Sequence, residues 1–374
     1  RLAAAGYPAQ IILFNGTVLP GRIKMAENKN YHDELNKKNI LKLRELLAGL
    51  PPFCKQFFRG IEDVTASRTR IAYAYDLKVF FEFIHETNGV YRKKDIVDFP
   101  LSILDEIGRE DIEEYMEYLS YYVKDGVEYT NDERGKKRKL ASLRSFYNYY
   151  FRNELIENNP AVLVPLPKLH EKEIVRMEPN EIAVLLDEVE EGNKLTKNEQ
   201  RYHDKTRVRD LALLTLLLGT GIRVSECVGL DIQDVDFDNQ RLKVRRKGGY
   251  EDIVYFGEEV SAALQDYLEE RERIIPLSGH ENAFFLSMQN RRLTVRSVEN
   301  LVKKYASKVT SMKKITPHKL RSTYGTNLYR ETGDIYLVAD VLGHKDVNTT
   351  RKHYAAMQDE NKRKAAKAVK LREP

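Results

Sequence analysis

The sequence predicts a mainly α-helical protein of two domains, the second carrying a small antiparallel sheet. Three observations lead there. Apolar residues recur at three- and four-residue spacing through most of the 374-residue chain, the signature of amphipathic helices. From 160 to 174 that periodicity stops, and Pro160, Pro165 and Pro167 stand close together; each disfavours helix in the residue before it. The period changes at 241–256, where two short alternating segments flank Gly248-Gly249, a hairpin signal. A chain of this length can bury a core in each of two domains.

In order, residues 1–24 hold Gly, Pro and the apolar patch Ile11-Ile12-Leu13-Phe14 without a basic segment ahead of it. They read as a mobile leader rather than a signal peptide. A helical domain is expected over 25–160. Leu35, Ile40, Leu41, Leu43, Leu46 and Leu47 mark a helix that Pro51-Pro52 stops, and Phe53–Gly60 makes a short second one. A third starts at Thr65 or Ser67 as N-cap, buries Ile71, Leu77, Phe80, Phe81 and Ile84, and ends at Asn88-Gly89. Asp111–Tyr122 and the long Asp132–Leu155 follow. Residues 161–174 form an extended interdomain linker. In the second domain, 175–374, helices are expected over Pro179–Val189, Thr206–Gly219, a segment starting near Arg223, Val260–Ile274, Val295–Thr310, Pro317–Thr332 and Ile335–Leu342. Thr316-Pro317 is an N-cap followed by proline at the first helical position. Glu190–Lys205 reads as a charged, loop-like insertion, and Arg241–Arg246 and Asp252–Phe256 as the two strands.

Composition narrows the function only slightly. With 62 Lys and Arg against 57 Asp and Glu, the formal net charge is +5, so local clustering has to identify any polyanion partner. One cluster is on the helix 132–155, where Arg134, Lys136, Lys137, Arg138, Lys139 and Arg144 stand opposite Leu140, Leu143, Phe146 and Tyr150. Such a face suits the sugar-phosphate backbone of DNA; a solvated face that keeps the bundle soluble is the alternative. Cys54 and Cys227 lack metal-ligand spacing and read as buried free thiols of a reducing cytoplasm. No apolar run reaches the roughly 20 residues of a membrane helix.

The chemistry is concentrated between Arg223 and Tyr354. Gly221-Ile222-Arg223-Val224-Ser225-Glu226 is followed by Lys247 in the hairpin, His318-Lys319-Leu320-Arg321, Leu342-Gly343-His344 and, ten positions after His344, Tyr354. Two arginines, a lysine, two histidines and a tyrosine can hold a phosphodiester, neutralise the charge that builds on it and attack it. The planar guanidinium matches two phosphate oxygens and keeps its charge. Arg321, three residues after His318, shares a helix face with it. A phenol titrates near 10, so Tyr354 needs neighbouring cations or a base to attack at neutral pH. Lys247, with Arg245 and Arg246 beside it, is the candidate general acid for the departing oxygen. Glu226, three residues after Arg223, is expected to buttress the site by hydrogen bonding rather than to transfer protons, an ordinary surface ion pair being the alternative. No acidic or cysteine residue stands at ligand spacing from His318 and His344, so no metal is expected.

These phrases, in this order, resemble the tyrosine recombinase/integrase family, and the likeness extends over most of the chain. Lys137-Arg138-Lys139-Leu140-Ala141-Ser142-Leu143-Arg144-Ser145-Phe146-Tyr147, followed by Glu157-Asn158-Asn159-Pro160-Ala161, is similar to the last helix of that family's core-binding domain. Leu50-Pro51-Pro52-Phe53 and Lys93-Lys94-Asp95-Ile96-Val97-Asp98-Phe99-Pro100-Leu101 are similar to the single-protein Xer recombinases of Firmicutes. The interval from His344 to Tyr354 is also that of mobile-element integrases. The chain departs from the family after Lys247-Gly248: the usual further basic residue is missing, and Tyr250-Glu251-Asp252 stands there. The resemblance implies a helical core-binding domain joined to a mixed α/β catalytic domain, closing as a clamp on duplex DNA that bears a specific recombination site. It implies attack by Tyr354 to leave a 3′-phosphotyrosine and a free 5′-hydroxyl, with neither ATP nor metal. It further implies a homotetramer on two DNA sites, a cytoplasmic, nucleoid-associated location, and a C-terminal tail, Asp359–Lys370, that docks on the neighbouring subunit. Two other functions fit the residues: DNA relaxation of the type IB topoisomerase kind, and DNA binding without catalysis.

Overall fold

The computed structural model describes residues 31–170, 175–246, 248–310, 312–344 and 346–347. The leader 1–24, part of the proline-rich stretch, Lys247, Tyr354 and the tail from Asp359 lie outside the described residues. Helices dominate, and the sheets are small and antiparallel, the class the sequence predicts.

The first half contains α1 (Tyr31–Ala48), α2 (Cys54–Gly60), α3 (Ser67–Thr87), α4 (Ile103–Glu106), α5 (Arg109–Tyr118), the hairpin β1 (Tyr122–Lys124) and β2 (Val127–Tyr129), and α6 (Glu133–Arg152). Their shared core is largely aromatic. The Phe146 ring lies edge-on to Phe57 at 5.2 Å and to Tyr150 at 5.0 Å, the arrangement that ring quadrupoles favour. Buried Asp76 on α3 accepts from Arg138 and from Ser142 Oγ (2.7 Å) on α6, so its charge is paired where desolvation would otherwise be costly.

The second half contains α7 (Pro179–Glu191), α8 (Lys197–His203), α9 (Arg207–Thr220), α10 (Val224–Gly229), β3 (Val235–Asp236), β4 (Arg241–Arg245), β5 (Glu251–Tyr255), α11 (Glu258–Glu272), α12 (Val295–Val309), α13 (Pro317–Thr332) and α14 (Ile335–Val341). α9 is apolar almost all round because it is central: Leu213, Leu214, Leu216 and Leu217 are buried, and α7, α11 and α13 pack on it. The strands run in the order β3-β4-β5, with Arg245 opposite Glu251. Buried apolar side chains of the two halves form separate clusters, one within 43–164 and, in the second half, a large one within 177–320 and a small one of Tyr329, Val338 and Leu342. Both cysteines are buried free thiols.

Several local expectations are corrected. The helix expected over Asp111–Tyr122 ends at Tyr118, and the hairpin β1–β2 follows. Its turn, Asp125-Gly126, has φ of 51° and 74°, as a type I′ turn requires. The insertion Glu190–Lys205 is not simply a loop, because α8 lies within it. Thr196 Oγ1 accepts from the Glu199 backbone, and the Glu199 carboxylate accepts from the Thr196 N–H at 2.8 Å, a capping box. Neither Thr65 nor Ser67 caps α3; Ala66 holds that position, without a side-chain bond. Thr316 is the N-cap of α13 as expected, but its hydroxyl makes no capping bond.

The chain between the halves is anchored at both ends. Arg144 on α6 donates to the carbonyls of Ala161 (3.0 Å) and Val164. At the far end the Met177 N–H donates to Thr323 Oγ1 of α13 at 3.0 Å. α1 touches both halves: Leu43 is buried in the first core, whereas the Arg292 guanidinium lies 4.8 Å above the Tyr31 ring.

Candidate active site

α9 ends at Gly221, whose φ of 62° is left-handed. A Cβ there would come within 2.4 Å of Tyr324, so glycine serves both the turn and the close approach of α13. Two residues on, Arg223 is the N-cap of α10. Its backbone N–H donates to Glu226 Oε2 (2.8 Å), Nη1 to Glu226 Oε1 (2.7 Å) and Nη2 to the Gly343 carbonyl (3.1 Å). Glu226 therefore fixes both the backbone and the guanidinium of Arg223 through an i,i+3 ion pair whose carboxylate is buried.

α14 ends in a Schellman motif. The Gly343 N–H donates to Asp340 O (2.7 Å) and the His344 N–H to Ala339 O (2.9 Å), with Gly343 at φ 60°. This leaves the carbonyls of 341, 342 and 343 without helical partners, at the negative end of the helix dipole. Three guanidinium groups fill that gap. Arg246 Nη2 donates to Val341 O (3.1 Å), Arg321 Nη2 to Leu342 O and Arg223 Nη2 to Gly343 O. Arg321, 4% exposed, also donates to Gly221 O at 2.7 Å. Arg223 and Arg321 thus converge on the short segment that delivers His344.

His318 is exposed near the start of α13, while Arg321 on the same helix is buried. His344 is half-buried and lines a cleft with Arg223, Gly248, Tyr250 and Asp346; Val64, Thr65, Ala66, Thr69 and Tyr73 of the first half form the opposite wall. Lys247 and Tyr354, the expected acid and nucleophile, lie outside the described residues. The hairpin that carries position 247 is defined by Arg246 N–H donating to Tyr250 O (2.9 Å), with Gly248 and Gly249 both left-handed. Tyr324, packed beside Gly221, is a poor candidate nucleophile because burial pushes its phenol up.

The six basic residues of α6 sit in different surroundings. Arg134 is exposed and Lys137 half-buried. Lys136 donates to Ser120 Oγ (2.6 Å) and Arg138 is paired with Asp76. Lys139 is buried and donates to Asn131 Oδ1 (2.9 Å); Arg144 holds the carbonyls of 161–164. Arg246 entered the sequence reading only as a neighbour of Lys247. A second arginine at a strand end gives no signal that it will be buried.

Residues 176–361 match the model of the phage integrase family. Over 342 residues the chain is 32% identical to the tyrosine recombinase XerC of Caldanaerobacter subterraneus subsp. tengcongensis, covering 88% of this chain and 89% of that protein. It is 30% identical to the tyrosine recombinase XerS of Streptococcus uberis, over 86% of this chain and 96% of the relative. Among solved structures it is similar in fold to the XerH site-specific recombinase bound to a palindromic difH substrate (TM-score 0.59, 20% identity, 77% of this chain and 76% of that one). It is also similar to the Tn1549 transposon integrase in complex with circular intermediate DNA (TM-score 0.56, 22% identity, 80% and 94%). Identity of this extent over nearly the whole length places the chain in the tyrosine recombinase family, the phage-integrase-type enzymes that transfer DNA strands by site-specific recombination.

Proposed function

We propose that this recombinase binds duplex DNA carrying a specific recombination site between its helical half, 25–160, and its catalytic half, 175–374, joined by the linker 161–174. In this reading Arg223 and Arg321 grip the non-bridging oxygens of one phosphate while His318 and His344 hydrogen-bond it. The Tyr354 oxygen forms a bond to phosphorus as the bond to the 5′ oxygen breaks, and Lys247 gives that oxygen its proton. The product is a 3′-phosphotyrosine, reversed when a 5′-hydroxyl of another strand attacks. The bond energy is retained, so the step needs no nucleotide. Four subunits acting on two sites would exchange strands in pairs, with the tail Asp359–Lys370 joining neighbours, and the exposed α6 residue Arg134 with Lys137 would take backbone phosphates.

The observation that carries this reading is the convergence of Arg223 and Arg321 on adjacent carbonyls, Gly343 and Leu342, directly before His344. The Xer-named relatives favour an Xer-type role over element movement. The test is Tyr354→Phe. Incubated with fragmented genomic DNA, the wild-type chain should yield adducts that survive denaturing detergent, and sequencing them identifies the site. The Phe variant should bind the recovered duplex with unchanged affinity and form no adduct. An adduct on the Phe variant would show another nucleophile. Efficient relaxation of supercoiled DNA lacking the recovered site would favour the topoisomerase alternative.

A further inference from the structure

We propose that Arg246 is a positioning residue for the cleavage step, acting on the phosphate-gripping Arg223 through Glu226 and on the His344 segment through the Val341 carbonyl. The proposal rests on the assignment of Arg223 and Tyr354 above. Arg246 is 3% exposed, and each of its three guanidinium nitrogens donates to a different element. Nη1 donates to Glu226 Oε2 at 3.1 Å, Nε to Asp252 Oδ2 at 2.9 Å and Nη2 to Val341 O at 3.1 Å. Glu226 is therefore shared, with one oxygen on the Arg223 guanidinium and the other on Arg246 and the Arg223 backbone. The fit against α14 is close: a Cβ at Gly343 would lie 2.9 Å from the Arg246 guanidinium carbon.

A planar fork with fixed donor directions can hold α10, β5 and the end of α14 in one relative placement, as a single ammonium cannot. Without it Glu226 is free to rotate toward Arg223 alone, and the carbonyl row before His344 loses one of its three anchors. The phosphate would still be attracted, but its charge would no longer be met at the place where it grows. Misplacement on the scale of 1 Å costs about 100-fold in rate. The effect belongs in the cleavage rate rather than in DNA affinity, which is spread over many backbone contacts.

The test uses the full chain and the duplex recovered from wild-type covalent complexes, with Arg246→Met and Arg246→Lys. We expect Arg246→Met to bind that duplex within about twofold of wild type and to form adduct about 100-fold more slowly, with Arg246→Lys in between. A second duplex carries a methylphosphonate at the scissile position, so one charged oxygen is gone and the arginines have less charge to meet. On it the Arg246→Met defect should shrink to about threefold or less, since the lost function is charge placement. The proposal is overturned by adduct formation within twofold of wild type, by a defect equally large on both duplexes, or by a parallel loss of affinity. Unfolding of both variants in a circular-dichroism melt also overturns it, since Arg246 then serves stability alone. If the wild-type chain yields no adduct, the functional assignment itself has failed, an outcome separate from all of these.

Discussion

The two halves of the molecule hold themselves together by different means. The first is fastened by rings: Phe53, Phe57, Phe81, Phe146 and Tyr150 meet edge-on or tilted in one cluster. The second has an aliphatic core around α9 and adds guanidinium groups on backbone oxygens, which the first half uses only at Arg144 among the bonds described above. Arg209 donates to Leu286 O, Arg271 to Ala283 O and Glu281 O, and Arg292 to Val228 O and Leu230 O. Arg223, Arg246 and Arg321 do the same at the site. The difference follows from where the backbone is irregular. Regular helices satisfy their own backbone, so apolar contact is enough to pack them. A half in which many residues stand on helix ends and loops leaves carbonyls without helical partners, and buried ones must find donors.

The contrast can be broken most forcibly at its centres. Phe146→Ala should destabilise the first half by about 4 kcal/mol, read by urea denaturation; a loss below about 1 kcal/mol would mean the ring cluster is not its main support. Arg271→Met takes the donor from the carbonyl of buried Ala283 and from that of exposed Glu281, and should cost the second half roughly 1–3 kcal/mol. If its urea midpoint barely moves, the guanidinium–carbonyl bonds are ornamental. The smallest effect sharpens the comparison, because it concerns an ion pair near the surface. The Thr196 backbone N–H and then Lys308 hold the Glu199 carboxyl down to about 2. Because that pKa is depressed on folding, the stabilisation is complete above the unfolded value of about 4.3 and is lost as pH falls toward about 2. Glu199→Gln should lower the melting temperature at pH 7 by an amount worth under about 1 kcal/mol, and the gap to wild type should close across that acid window. A constant gap would mean that the charge of Glu199 contributes nothing.

Most helices were legible because their apolar stripes recur at a fixed period, and the sheet class followed from Gly248-Gly249 between alternating segments. Two omissions had visible signals: Asp125-Gly126 for the hairpin, and Thr196 with Glu199 three residues later for α8. Both stood in charged surroundings with little apolar alternation, and the charge obscured the turn chemistry. The order Arg223, Glu226, His318, Arg321 and His344 pointed to one candidate site, and the structure brings Arg223, Glu226 and Arg321 to the segment ahead of His344. The arginine clamp was not legible, for a physical reason. Its acceptors are backbone carbonyls, which every residue carries, so nothing in the letters at 341–343 distinguishes them. Arg245 and Arg246 are likewise identical in sequence, and only the end of β4 makes one half-buried and the other buried.

α1 carries a consequence for how the protein is divided. By its apolar side it belongs to the first half, yet its opening turn rests on the second. Tyr31 lies under Arg292, and a Cβ on Gly229 would sit 3.2 Å from the His32 imidazole. A shortened chain beginning at Gly49 would therefore lose more than one helix: it would uncover the face of α3 on which α1 packs and leave the surface beside α10 bare at the other end. Any swing of one half against the other has to peel that turn away or carry it along, which makes residues 31 and 32 a natural place to attach a reporter of such movement.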